Sequence, residues 1–142
     1  MTTPLYCLIG FASWIVLLVL AIVVWRVGLA LAGKTAPNAF PSGSQHGTDT
    51  YWRLNRAHMN AAENLPLMAA VVLVGTLAGV STPLFSILAQ VYLAARIAQS
   101  LLHISSNAAL VVNLRFTGLF VQLVCFGWMA LEIVSTARVP SA

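Results

Sequence analysis

RLNRAHMNAAENLPLMAAVVLV, residues Arg53 to Val74, opens polar and ends apolar. On a helix advancing about 100° per residue, with Arg56 as zero, Asn60 falls at about +40°, Glu63 at about −20° and Arg53 at about +60°. Four polar residues therefore share one face of a segment that runs on into lipid-compatible sequence. His58, at about 200° from Arg56, faces away from them. Pro66 removes a backbone donor and crowds the carbonyl of Ala62, which predicts a kink beside Glu63.

The rest of the chain makes a membrane the natural surroundings of this stretch. Of 142 residues, 60% are hydrophobic and 7% charged, with seven basic residues against three acids and a net charge of +4. Mean hydropathy is +0.90 and the sequence pI about 9.7. A soluble domain carries roughly 25% charged residues, so the class is an all-α integral membrane protein. The basic pI does not indicate nucleic-acid binding, because no basic cluster exists. Cys7 and Cys125 lie in apolar runs. They fit neither a metal-ligand pattern nor a disulfide framework and read as packing residues.

Hydrophobic runs predict four membrane helices at about 4–32, 51–79, 84–104 and 108–134, within a single domain spanning 1–142. The first run lacks a basic n-region and a cleavage site, so it reads as a retained helix rather than a signal peptide. Gly28 with Ala32, and Gly75 with Gly79, offer small-xxx-small surfaces for close helix packing. The connection from Gly33 to Tyr51 is a loop by composition, with Thr48, Asp49 and Thr50 as candidate N-caps. Ser81-Thr82-Pro83 and Ser105-Ser106-Asn107 are tight turns. On the third segment Tyr92, Arg96, Gln99, Ser100 and His103 form a second polar stripe. Asn113 and Arg115 interrupt the fourth.

The two stripes admit a structural reading and a functional one. One Glu63–arginine ion pair, with snorkelling of the remaining cations, would account for part of the charge. Arg26 and Arg138, at segment ends, read as snorkelling cations, and His46 as a solvated loop residue. Trp14, Trp25, Trp52 and Trp128 need only membrane anchoring, and Glu132 a capping or pairing role at the end of the fourth segment. The functional reading is a shared pocket in which Arg53, Arg56, Arg96 and Arg115 outweigh Glu63. That balance suits a ligand with several carboxylates and one amine, since arginine forks match carboxylates bidentately. Lys34, Arg53, Arg56 and Arg115 lie on or beside the 1–2 and 3–4 connections. The positive-inside rule then puts these connections in the cytoplasm and both termini outside or in the lumen.

Arg56-Ala-His58-Met59-Asn60-Ala-Ala-Glu63 resembles the RAHxNxxE motif of the MAPEG family, membrane-associated proteins of eicosanoid and glutathione metabolism. The likeness covers nearly the whole chain and is closest to the microsomal glutathione transferases. Arg96 to His103 is similar to a helix-three pattern of arginine followed by tyrosine in the family's prostaglandin synthase. Asn113-Leu-Arg115-Phe116 resembles the start of its fourth helix.

The resemblance implies a four-helix bundle assembling as a homotrimer, with glutathione as co-substrate held between subunits. Arg56, Asn60 and Glu63 would bind it, with Arg53 at the rim and Arg96 from the facing helix. Arg115 and His103 would serve the thiol. A free thiol has a pKa near 8.5, about a few per cent thiolate at neutral pH, and an adjacent guanidinium lowers that value. The activity implied is a transferase or peroxidase acting on lipophilic electrophiles or lipid hydroperoxides, in a bacterial inner membrane or an endoplasmic reticulum. The alternatives are a non-catalytic lipid-binding scaffold of the same fold and a small transporter, though four segments lack the paired broken helices of transporters. His103 in place of tyrosine, Phe116 in place of serine, Met59 in place of a second basic residue, and the acid-free Pro41-Ser42-Gly43 argue against prostaglandin synthase specificity.

Overall fold

The computed structural model describes residues 1–36, 38–41 and 43–137. Arg138 and the rest of the tail, expected to lie outside the membrane, fall beyond the described residues. Four helices carry the chain: α1, Thr3–Leu31; α2, Asp49–Leu77; α3, Pro83–Ser105; and α4, Ala109–Ala137. All four are long and apolar enough to cross a membrane. Their ends fall within three residues of the sequence expectation, and α4 runs unbroken through Asn113 and Arg115.

Local chemistry sets the boundaries. Thr48 caps α2, its hydroxyl accepting from the Tyr51 amide at 3.3 Å, and Thr82 does the same for α3 through Phe85 at 3.0 Å. The Thr82 hydroxyl also donates to Glu132 at 2.5 Å, so Glu132 staples the α2–α3 turn to α4. Ser106 accepts from the Ala108 amide at 3.0 Å and starts α4.

Gly79 ends α2. Its φ is +72°; the Val80 amide donates to the Gly75 carbonyl and the Gly79 amide to Thr76, which is a Schellman closure. The Gly75/Gly79 pair is therefore not one packing motif. Gly79 terminates a helix, whereas Gly75 packs: a Cβ there would run into the buried Phe85 ring. Gly28 is different again. A Cβ there would meet nothing within 4 Å, so the α1 surface it was expected to pack is open within the subunit.

The bundle is not a square. α2 and α3 each touch every other helix, whereas α1 and α4 do not meet. Phe11 and Ile22 of α1, Met68 and Val72 of α2, Phe85, Ala89 and Tyr92 of α3 and Met129 of α4 pack into one core. Cys7 and Cys125 are free and buried in it. Large apolar side chains cover the outside, among them Val24, Leu31, Phe116, Phe120 and Leu131, as suits a surface facing lipid.

Length places the polar stretch. A 29-residue α2 is roughly 43 Å long, against a hydrocarbon core of ~30 Å that takes about 20 residues. Counted back from Leu77, the core reaches the neighbourhood of His58. Arg53 and Arg56 then lie at headgroup depth, while Asn60 and Glu63 lie just inside the hydrocarbon.

Gly75→Ala should destabilise the protein by about 1–3 kcal/mol through overpacking. Phe85→Leu in the same chain should recover part of that loss. Thermal unfolding in detergent reads both; a Gly75→Ala midpoint equal to wild type would contradict the close α2–α3 contact.

Candidate functional site

Arg53 begins the site by joining two helix ends. Its Nε donates to the Ile104 carbonyl at 3.0 Å, and its Nη2 to Thr50 at 3.0 Å. Ile104 lies in the last turn of α3, whose carbonyls lack helical partners and carry the negative end of the dipole. The arginine thus ties the start of α2 to the end of α3 instead of snorkelling.

Between these ends and the first turns of α4 lies a cleft of about 540 Å³, within the usual size of small-molecule sites. Arg53, Arg56 and Asn60 come from α2, Gln99 and His103 from α3, and Arg115 from α4. A smaller recess of about 230 Å³ adjoins it, lined by Arg56, Met59, Asn60, Glu63 and His103. The two polar stripes therefore meet in one place.

Within the cleft the side chains are held to different degrees. Arg56 is exposed and makes no side-chain hydrogen bond among the described residues. Glu63 is likewise exposed and makes no ion pair among them, so the Glu63–arginine pair of the structural reading does not form among the described residues. Arg115 Nη1 lies 3.0 Å from His103 Nδ1. A guanidinium has no acceptor, so Nδ1 accepts and the neutral ring carries its proton on Nε2.

Gln99 fixes α4 against α3. Its Nε2 donates to the Arg115 carbonyl at 2.9 Å, and its Oε1 accepts from Gln122 at 3.0 Å. Gly118 lies against this contact, where a Cβ would sit at an ordinary van der Waals distance, 3.4 Å, from that of Gln99. Arg115 is thereby held at both backbone and side chain.

Arg96 does not line the cleft. It is 1% exposed and lies behind Asn60. Its Nη1 donates to Asn60 Oδ1 at 2.6 Å and, at 3.3 Å, to the Asn60 carbonyl. Its guanidinium carbon is 5.9 Å from the Phe11 ring centroid, within cation–π range. Nε and Nη2 have no hydrogen-bond partner among the described residues. The carboxylate count explains this: Asp49, Glu63 and Glu132 are the only acids of the chain, and none pairs with Arg96.

Several contributors are absent from the polar stripes. Gln45, Asp49, Trp52 and Asn107 line the cleft with Val112, Phe116 and Leu119. Trp52 thus does more than anchor. Asn107, which would extend the third-segment stripe if the helix continued, reaches the cleft even though α3 stops at Ser105. Gln122 carried a usable signal, being two turns beyond Arg115 at about −20° on the same helix face.

Two other expectations change. Arg26 is not a free snorkelling cation: its Nε donates to the Tyr51 hydroxyl at 2.7 Å, and its guanidinium lies 5.0 Å from the Phe40 ring centroid. His46 is not simply solvated. Its ring packs 5.2 Å from Tyr51 and 6.2 Å from Trp52, and Nδ1 lies 2.8 Å from the Ser44 carbonyl. These contacts settle the α1–α2 connection beside the cleft, to which it supplies Gln45 and, at the recess, Gly43.

The chain is thus a multi-pass membrane bundle with a cationic cleft at one end of its helices. Among curated proteins none matches it. The family model for MAPEG proteins matches residues 4–135, a span that contains every residue lining the cleft and the recess. With nearly the full length matched, and with four apolar helices arranged around the RAHxNxxE stretch, the chain belongs to the MAPEG family, which places it among the membrane proteins of eicosanoid and glutathione metabolism.

Proposed function

We propose that this chain is a membrane-embedded glutathione transferase or peroxidase that activates the glutathione thiol for attack on lipophilic electrophiles or lipid hydroperoxides. The observation that carries this reading is the cleft where Arg53, Arg56 and Arg115 converge while Glu63 stays unpaired beside them. Glutathione with its thiol ionised offers three anionic groups and one ammonium. Three guanidinium groups and one carboxylate complement that set.

The roles divide by position. Arg56 and Arg53 take carboxylates, Asn60 adds a hydrogen bond, and Glu63 receives the ammonium. Arg115 stands by the sulfur and favours thiolate. His103 holds Arg115 through Nδ1 and lines both cleft and recess. Val112, Phe116 and Leu119 form an apolar wall on the α4 side, and Phe116 is 66% exposed, an entry for a second substrate from lipid.

In transfer, the thiolate forms a carbon–sulfur bond and the leaving group departs with its electron pair. In peroxide reduction, the thiolate attacks an oxygen of the hydroperoxide and the O–O bond breaks. The sulfur becomes a sulfenic acid and the lipid an alcohol after taking a proton. A second glutathione then displaces water from the sulfenic acid to give the disulfide.

Assembly as a homotrimer belongs to the same proposal. An exposed, unpaired carboxylate inside the hydrocarbon edge is unfavourable, and a neighbouring subunit covering Glu63 and Arg56 would remove that exposure. Both termini are placed outside or in the lumen, with the cleft on the cytoplasmic side of a bacterial inner membrane or an endoplasmic reticulum.

Adding glutathione to purified protein should produce thiolate absorbance, followed by turnover with a generic electrophile. Arg56→Ala should weaken binding by roughly 10- to 100-fold, the size of a lost charge-assisted hydrogen bond. Arg115→Ala should bind glutathione yet leave it at about the few per cent thiolate of the free thiol at neutral pH. Absence of binding at millimolar glutathione would overturn the proposal. Lipid binding with no thiolate signal would favour the non-catalytic scaffold.

His103 makes a separate prediction. Its Nδ1 lone pair holds Arg115 in place, so His103→Phe, which has no acceptor, should lower the thiolate fraction of bound glutathione while leaving glutathione affinity nearly unchanged. A thiolate signal in His103→Phe equal to that of wild type would exclude His103 from thiol activation.

A further inference from the structure

Asn60 is held by one end only. Arg96 reaches it from α3, and the 2.6 Å contact is from Nη1 to Oδ1. Guanidinium groups only donate, so the amide cannot flip without setting donor against donor. The Nδ2 end is left pointing away from Arg96. It donates to no protein group among the described residues, is not a buried atom, and belongs to a side chain that lines both cleft and recess.

A buried guanidinium without a carboxylate partner is unfavourable by itself. Here it has a consequence: a cation on Oδ1 draws electron density through the amide and strengthens Nδ2–H as a donor, as hydrogen bonds in series do in a low-dielectric interior. We infer that Arg96 is a positioning residue that commits Asn60 to donate into the cleft. The ligand group at Asn60 must then be an acceptor, a carboxylate or carbonyl oxygen or a thiolate, and not an ammonium. This assignment rests on the glutathione reading for the ligand, but the Arg96–Asn60 pairing does not.

Asn60→Asp tests it, because the substitution keeps an oxygen toward Arg96 and turns the cleft-facing donor into an acceptor. The expected result is a split. The unfolding midpoint should rise by a few degrees as Arg96 gains a counter-ion, while the glutathione Kd should rise at least about tenfold. A purely structural Asn60 would not produce that opposition. Equal or tighter glutathione binding would overturn the inference, and so would an unchanged or lowered midpoint.

Arg96→Met should weaken binding severalfold by freeing the amide, with Arg96→Lys restoring most of it; wild-type affinity in Arg96→Met would count against the role. An analogue carrying a methyl in place of the thiol locates the acceptor. Weakening by Asn60→Asp with both ligands assigns an oxygen, weakening with glutathione alone assigns the thiolate, and either upholds the inference. If wild-type protein failed to bind glutathione, the proposed function would fall, and the midpoint of Asn60→Asp would still decide the pairing.

Discussion

A guanidinium enclosed by helices is costly to take out of water, and the contact between Arg96 and Asn60 is this chain's answer. Arg96 is buried to 1% exposure, with a side-chain amide, a backbone carbonyl and an aromatic face around it in place of a carboxylate. α2 and α3 are thereby joined at one height. α2 and α3 are also the helices that touch all others, so the register they share sets the bundle. The same contact turns the Asn60 amide, linking the packing of the core to the chemistry of the cleft.

Around that pair, polar groups act as spacers between helix ends. Arg53 connects α2 to the last carbonyls of α3, where a cation also meets the negative end of the helix dipole. Gln99 and Gln122 join α3 to α4. At the other end Thr82 and Glu132 hold the α2–α3 turn to α4. Interhelical hydrogen bonds of this kind contribute about 0.6–2 kcal/mol each in membranes. Their value lies in position, since apolar side chains sliding on apolar side chains specify little. The cleft forms where these links leave Arg56 and Glu63 unused.

Much of the fold was legible in the sequence. Helix lengths follow from apolar runs matched to bilayer thickness, and the turns from Thr, Ser, Gly and Pro at their borders. The meeting of two polar stripes was legible because helical periodicity assigns faces. Gly75 and Gly79 show the limit. The same spacing holds a packing glycine and a helix terminator, and only the backbone conformation and the Phe85 ring tell them apart. Arg26 shows another limit: Tyr51 and Phe40, which hold it, lie beyond the end of its own helix.

The sequence by itself determined that the chain is a four-helix membrane protein, which side chains share a face, and which family motif they resemble. Those properties are local, set by the period of a helix and the composition of a run. Only the tertiary structure decided which arginine reaches the cleft. Arg53, Arg56 and Arg115 do, and Arg96 stands behind Asn60. Periodicity names a face but not its neighbour or its depth. Whether a guanidinium meets ligand or amide depends on a partner 36 residues away in sequence, brought there by the packing of α2 on α3.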